Sequence, residues 1–262
     1  MASYAISALY GPTPVPRAIE LCDRILEEAP DDRRAEGIVL CALAHLHAME
    51  GSFERARELY RRARATFEDL GRMVLAASTS LESGRVEMLA DDPVAAELEL
   101  RPDYVTLHQL GEKYLLSLVA ALLAQALYVQ ERYEEAEDFS RLSESLTAVD
   151  DIESQVAWRR VRARVLARRG EQEEAERLVL EAVELINRTD SPLLQANALM
   201  DLAEVMGRGS RRPEEAGALR EARRLYEEKG DLVSAERAGA NLAAGEARQG
   251  PAPPAVASDR KP

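Results

Sequence analysis

Lysine, cysteine and aromatic side chains are scarce in this chain, and each shortage excludes something. Only Lys113, Lys229 and Lys261 are lysines among 34 basic residues, an arginine bias that points to a GC-rich bacterial genome. Cys22 and Cys41 are the only cysteines, too few for a disulfide framework and without the CxxC spacing of a metal or redox site. They suit a reducing, cytoplasmic compartment. Positive charge is short overall: the net charge of −13 argues against general binding of nucleic acid, which needs a basic surface. The longest apolar run near the middle, Leu118 to Ala124, is far below a membrane span. The opening stretch, MASYAISALYGPTP, lacks the basic segment and apolar core of a secretory signal. No GxxxxGK[ST], GxSxG or HExxH motif occurs, so no phosphate loop, nucleophile elbow or zinc helix is expected, no cofactor is implied, and no enzyme activity is anticipated.

Alanine and leucine at helical spacing are plentiful. Between Tyr114 and Leu146, apolar residues fall at Leu115, Leu116, Val119, Leu122, Leu123, Ala126 and Leu127, one broad face with a period near 3.6 residues. After Gln130, Glu131 and Arg132 a second helix opens with Tyr133 and sets Ala136 where a small side chain lets two helices close up. So short a connection forces an antiparallel return. An alanine recurs near the start of each comparable second helix, at Ala18, Ala56, Ala96, Ala136, Ala175 and Ala216, with spacings of 38 to 41 residues. Helical pairs at a fixed period predict an all-α solenoid, because one hairpin cannot bury its apolar face alone and must stack on the next.

Turn chemistry divides the chain into about five hairpins of roughly 40 residues. The acidic pairs Asp31–Asp32, Asp91–Asp92 and Asp150–Asp151 read as helix caps rather than as acid and base catalysts. Residues 3 to 10 read as the end of a helix with no partner, broken by GPTPVP, and Pro16 opens a half-repeat. Pro102 falls inside a predicted helix, where a straight helix would lose about 3 kcal/mol, so a kink or break is expected near Arg101. The turn from Gly207 to Pro213 is longer than its counterparts and is expected to be a mobile loop. A final helix, about Leu232 to Arg248, is expected to cap the open end. The organisation read from the sequence is an N-terminal segment over 1–15, a repeat domain over 16–248 and a disordered tail over 249–262.

Leu40, Leu43, Ala44, Gly51, Phe53, Ala56, Tyr60 and Ala63 place large, small and turn residues as in the tetratricopeptide repeat, and Leu123, Ala124, Tyr133 and Ala136 do so again. The resemblance covers about residues 16 to 245 and implies a right-handed alpha-alpha superhelix, a scaffold that binds protein or peptide partners. The period of about 40 exceeds the standard 34, which implies longer helices. The runs GPTPVPRAIELCDRIL, SLVAALLAQALYVQERYEEAE and SQVAWRRVRARVLARRGEQEEAERL are also similar to the C-terminal helical region of large actinobacterial regulators that carry an ATPase module and often a nucleotide cyclase upstream. Neither catalytic domain has a counterpart here. That resemblance implies a sensor half, either as a short relative or as one portion of a longer signal-transduction protein.

The densest basic feature is the helix bearing Arg159, Arg160, Arg162, Arg164, Arg168 and Arg169. Trp158, Val161 and Val165 share one side, leaving Arg160, Arg164 and Arg168 as an exposed stripe at i, i+4 and i+8. In tetratricopeptide arrays the first helix of each pair lines the concave surface, so the resemblance aims this stripe into a groove with Arg85, Gln125 and Tyr128. Guanidinium groups there would hold a carboxylate or phosphate. The plainer reading is that these arginines pair with Glu on adjacent helices. Cys41 and His45 are four apart and could share a metal, but two ligands without a third point to packing.

Overall fold

The computed structural model describes residues 2–248, all of them in helices or the turns between. The helices are α1 Ala2–Tyr10, α2 Val15–Glu28, α3 Arg33–Met49, α4 Phe53–Asp69, α5 Met73–Leu89, α6 Pro93–Leu110 and α7 Lys113–Val129. They continue as α8 Tyr133–Leu146, α9 Ile152–Arg169, α10 Gln172–Ile186, α11 Pro192–Arg208, α12 Arg212–Lys229 and α13 Leu232–Ala247. No strand occurs among the described residues, and the architecture is a tetratricopeptide-like solenoid. None of these helices is long and apolar enough to cross a membrane. The expected tail over 249–262 lies outside the described residues.

The caps act as the sequence suggests. Asp32, Asp92 and Asp151 each accept the backbone N–H three residues on, at 2.9, 2.9 and 3.2 Å, satisfying donors that a helix start leaves free. From α3 to α12, each turn inside a hairpin has one residue at positive φ: Gly51, Asp91, Glu131, Gly170 and Ser210. The last resolves the turn expected to be long. Helix α11 runs on through Gly207 and Arg208, Ser210 takes the left-handed place, and the connection is as short as the others. Helix α6 likewise runs through Pro102 without a break.

At the fourth position of the second helix, Ala18, Ala56, Ala96, Ala136 and Ala175 have no exposed surface. In the last hairpin that position is Glu215 rather than Ala216, and the first helix makes room. A Cβ on Gly207 would lie 2.8 Å from the Glu215 carboxylate. The missing side chain at Gly207 accommodates the larger Glu215, which keeps the two helices close.

Helices α3, α5, α7, α9 and α11 form the inner layer, and α4, α6, α8, α10 and α12 the outer one. Ahead of them α1 and α2 make a complete though shortened hairpin, correcting the expected half-repeat: α1 packs on both α2 and α3. It also reaches the other end of the chain. One core joins Ala5, Leu9, Val15 and Cys22 to Leu193, Ala222, Tyr226 and Ala238. The array therefore closes into one superhelical turn.

Lys229 fastens the seam. Its side chain is wholly buried, and its ammonium donates to the carbonyls of Ala8 (2.7 Å), Gly11 (2.9 Å) and Thr13 (2.6 Å). Those are α1 and the turn after it, whose carbonyls have no helical partner. Ser191 Oγ donates to Tyr10 O at 2.8 Å, and Arg237 reaches Leu89 O at the end of α5 at 3.2 Å. The last helix thus does more than cap an open end; it meets the first hairpins.

Candidate functional site

The inner helices surround a half-open chamber of about 800 Å³. Its wall follows from helix geometry, since residues three and four apart share a face. Helix α7 contributes Leu118, Ala121, Leu122, Gln125 and Val129; α9 contributes Glu153, Ala157, Arg160 and Arg164; α11 contributes Asn197, Asp201, Glu204 and Arg208. Tyr10 and His45 stand at one end with Arg85, and Arg212, Glu215 and Arg248 stand elsewhere on the wall.

Arg160 and Arg164 face inward and are covered, with side-chain exposures of 14% and 11%, which corrects the expectation of an exposed stripe for these two; Arg168 is exposed as expected. The cause is the narrowness of the turn, which brings α11 opposite α9. Arg160 Nε donates to Asp201 Oδ2 at 2.5 Å and its Nη2 to Asn197 O at 3.1 Å. Arg164 Nε donates to Glu204 Oε2 at 2.8 Å, with its Nη1 3.2 Å from Asp201 Oδ1. The Arg164 guanidinium also lies 4.0 Å from the centre of the Tyr128 ring, a favourable cation–π stack. Burial raises the Glu204 carboxyl, but Arg164, the Tyr128 hydrogen bond and Arg208 together hold the group below its ordinary value.

Arg85, Gln125, Arg160 and Arg164 line the chamber, whereas Arg168 and Tyr128 stand behind the wall. A stripe at i, i+4 and i+8 drifts by about 80° because an α-helix has 3.6 residues per turn. Arg168 is accordingly turned toward the Tyr128 hydroxyl (3.1 Å) and the Tyr133 ring. Trp158 and Val161 are buried as the helical wheel requires, and Arg159 and Arg162 fold over the Trp158 ring.

The residues that sequence reasoning missed stand around Tyr10. His45 Nδ1 lies 2.6 Å from Glu82 Oε2, and the Tyr10 hydroxyl donates to Glu82 Oε1 at 2.6 Å. Arg85 donates to Glu82 at 2.8 Å and to Glu153 at 3.0 Å. Burial alone would raise the Glu82 carboxyl; Arg85 and His45, with hydrogen bonds from His45 and Tyr10, bring it down to about 2. His45 was read as a packing residue beside Cys41, and it is buried, but its partner is this carboxylate. Both cysteines are buried free thiols, Cys22 pushed up by burial to about 12.

A signal for several of these pairs exists in the chain. Arg160 and Asp201 are 41 residues apart, Arg164 and Glu204 are 40, Tyr128 and Arg168 are 40, and Arg64 and Asp103 are 39. Opposite or complementary groups one repeat apart meet on adjacent, equivalent helices.

Comparison with known proteins gives the fold. No protein-family model matches the chain, and no curated protein resembles it in sequence. The structure of BtubC from P. vanneervenii superposes with a TM-score of 0.56 at 15% identity, covering 92% of this chain and 91% of that one. A Pyrococcus horikoshii signal transduction ATPase with numerous domains, which has a tetratricopeptide repeat sensor, superposes with a TM-score of 0.56 at 16% identity. The match covers 88% of this chain, which spans about a third (34%) of that protein. A Rap protein complexed with competence and sporulation factor superposes with a TM-score of 0.56 at 11% identity, over 89% of this chain and 71% of that one.

Proposed function

We propose that this chain is a non-enzymatic binding module that receives a short segment of a protein partner in its chamber. The observation that carries the reading is the half-open chamber with a mixed polar and apolar wall formed by the inner helices. Its volume of about 800 Å³ falls within the roughly 300–1,000 Å³ of small-ligand and cofactor sites, so a few side chains of a partner fit and a folded domain does not. Arg85, Gln125, Arg160 and Arg164 contact the segment, with Tyr128 and Arg168 bracing Arg164 from behind. An acidic side chain of the partner would take over a guanidinium now held by Asp201 or Glu204. The net charge of −13 disfavours nucleic acid and anionic membranes as partners. A cytoplasmic setting suits the two free thiols.

Gln125 tests this reading because it lines the chamber without belonging to the packed core. Gln125→Trp should fill the space and abolish capture of the partner from the source cell, with the thermal melt unchanged. The outer-surface change Arg224→Gln should leave capture intact. A partner retained equally by Gln125→Trp would overturn the chamber as the site.

A second reading is favoured by the superposition on a sensor-bearing ATPase. In it, the repeat array is the regulatory portion of a larger ATPase or nucleotide cyclase signalling system, as the resemblance to actinobacterial regulators implies. An antibody to this region would then capture a species much larger than 29.0 kDa from the source cell, and a 29 kDa species alone would count against it.

A further inference from the structure

The chamber wall has two unlike sides. Helices α5 and α7 give it Met88, Leu89, Leu118, Ala121, Leu122 and Val129, the last four a stripe of α7 at helical spacing. Met88, Leu89, Leu122 and Val129 keep part of their apolar surface uncovered. The other side, on α9 and α11 to α13, is charged. Around the turn, α9 separates the two sides at one end and α3 at the other, since α9 packs on α7 and α11, and α3 on α5 and α13.

The charged side holds more guanidinium than carboxylate. Arg160, Asp201, Arg164, Glu204 and Arg208 form a ladder that begins and ends on arginine. Glu215 then takes Arg212 on one oxygen, at 2.7 Å, and Arg248 on the other, at 3.1 Å. All eight of these residues line the chamber, so five guanidinium groups meet three carboxylates and two positive charges are left over. Glu214 does not line it and pairs with Arg211. At the Tyr10 end the charges nearly cancel: Arg85, Arg237 and the buried Lys229 stand against Glu82, Glu153 and Asp231, with Asp91 as one further acid on the wall. A chain of net charge −13 has thus gathered positive charge on one side of its chamber.

Three of the five arginines also have donors to spare. A guanidinium carries five N–H groups. Among the described residues, Arg208 donates only through Nε, to Glu204 at 3.3 Å; Arg212 donates only through Nη1 and Arg248 only through Nη2, both to Glu215. Their side chains are 30%, 36% and 53% exposed. An anion reaches these three without separating Arg160 or Arg164 from Asp201.

We infer that the occupant of the chamber is an acidic amphipathic segment. Carboxylate or phosphate groups on one face meet Arg208, Arg212 and Arg248, and apolar side chains on the other cover Met88, Leu89, Leu122 and Val129. The inference rests on the chamber being the binding site and specifies what enters it. Planar guanidinium groups donate to both oxygens of an oxyanion at once, and two such anions neutralise the surplus. A purely apolar segment would cover the three guanidinium groups without supplying an acceptor, at the cost of their hydration.

Short peptides with blocked ends test this by titration calorimetry on the full chain: one carries leucine and glutamate, and the others replace the glutamate by glutamine, lysine or phosphoserine. The glutamate or the phosphoserine peptide should bind at least about ten-fold more tightly than the glutamine peptide, as one added charge-assisted hydrogen bond implies. The lysine peptide should not bind. Preference for phosphoserine means that the anion is a phosphate, and preference for glutamate a carboxylate. Arg208→Gln combined with Arg248→Gln should abolish the preference, while Arg224→Gln on the outer face preserves it. Should the double variant fail to fold, salt decides on the wild type: raising it from about 0.05 to 0.5 M should weaken the acidic peptide and spare the glutamine one. No binding by any peptide, equal binding of the acidic and glutamine peptides, tighter binding of the lysine peptide, or a preference that survives the double variant or the salt overturns the inference. The chamber reading is judged separately and stands if Gln125→Trp still abolishes partner capture.

Discussion

Between α5 and α10, each core cluster joins neighbouring hairpins: Leu100, Leu107 and Leu123 in one, Leu127, Ala136 and Val161 in the next. At the seam a single core runs from Ala5 and Leu9 to Ala222 and Tyr226, and Lys229 bonds to a carbonyl 221 residues away. The middle obeys the rule for repeat arrays, in which stability is a sum of units and nearest-neighbour interfaces. The seam adds a contact that forms only when every hairpin between its two halves has the correct curvature. It reports on the whole array, where a middle cluster reports on two hairpins.

The contrast breaks most visibly at Lys229. Lys229→Met leaves three carbonyls without their donor and should cost about 3–5 kcal/mol, from three hydrogen bonds to a charged group at about 1.5 kcal/mol each. Denaturant unfolding measures the loss, and hydrogen exchange should quicken in α1 while α7 and α8 stay protected. Unchanged protection in α1 would show that the apolar core alone holds the seam.

Acid should act next, and on the same region. Glu82 has a folded value of about 2 against an ordinary 4.5. A depressed carboxyl stabilises the fold above its unfolded value, and that contribution disappears as pH falls through the folded one. The window is therefore pH 4.5 down to 2, and the contribution is about 3 kcal/mol. Thermal melts across that window should fall more steeply for the wild type than for Glu82→Gln; parallel profiles would mean that the network around His45 carries no net stability.

In the last hairpin, the close approach of Gly207 to Glu215 predicts a coupled pair. Gly207→Ala gains about 1 kcal/mol of helix preference and pushes on Glu215. Combining it with Glu215→Ala should give a double variant more stable than the two single changes sum to, by about 0.5–1 kcal/mol. A strictly additive cycle would mean that Glu215 swings clear at no cost. The smallest effect belongs to the outer face, where Arg224 pairs with Glu221 and Glu228 on its own helix. Arg224→Gln should change stability by less than about 0.5 kcal/mol, and a larger loss would remove the distinction between inner and outer pairs.

The local parts of this fold were readable because local chemistry determines them. Caps at Asp32, Asp92 and Asp151 and small contacts at Ala56, Ala96 and Ala136 depend on neighbours a few residues away. Closure depends on a small rotation accumulated over every hairpin, and no window of sequence carries it. Lys229 therefore looked like an ordinary basic residue in a last turn. The same cause hid the burial of two members of the stripe: Arg160 and Arg164 are polar, and only the approach of Asp201 and Glu204 across the turn makes covering them tolerable. Glu215 was missed for a different reason. The alanine marker slid to its neighbour Ala216, since nothing in α12 alone shows that Gly207 on the preceding helix gives the space.

An open solenoid can gain or lose a unit by duplication or deletion and simply grow longer or shorter. Here the N-terminal hairpin meets the last helices, so an added hairpin would carry the two ends past each other and strand the Lys229 ammonium without its carbonyls. The number of hairpins between the two halves of the seam is consequently constrained by geometry, and what the chamber holds is left to vary by substitution along its wall.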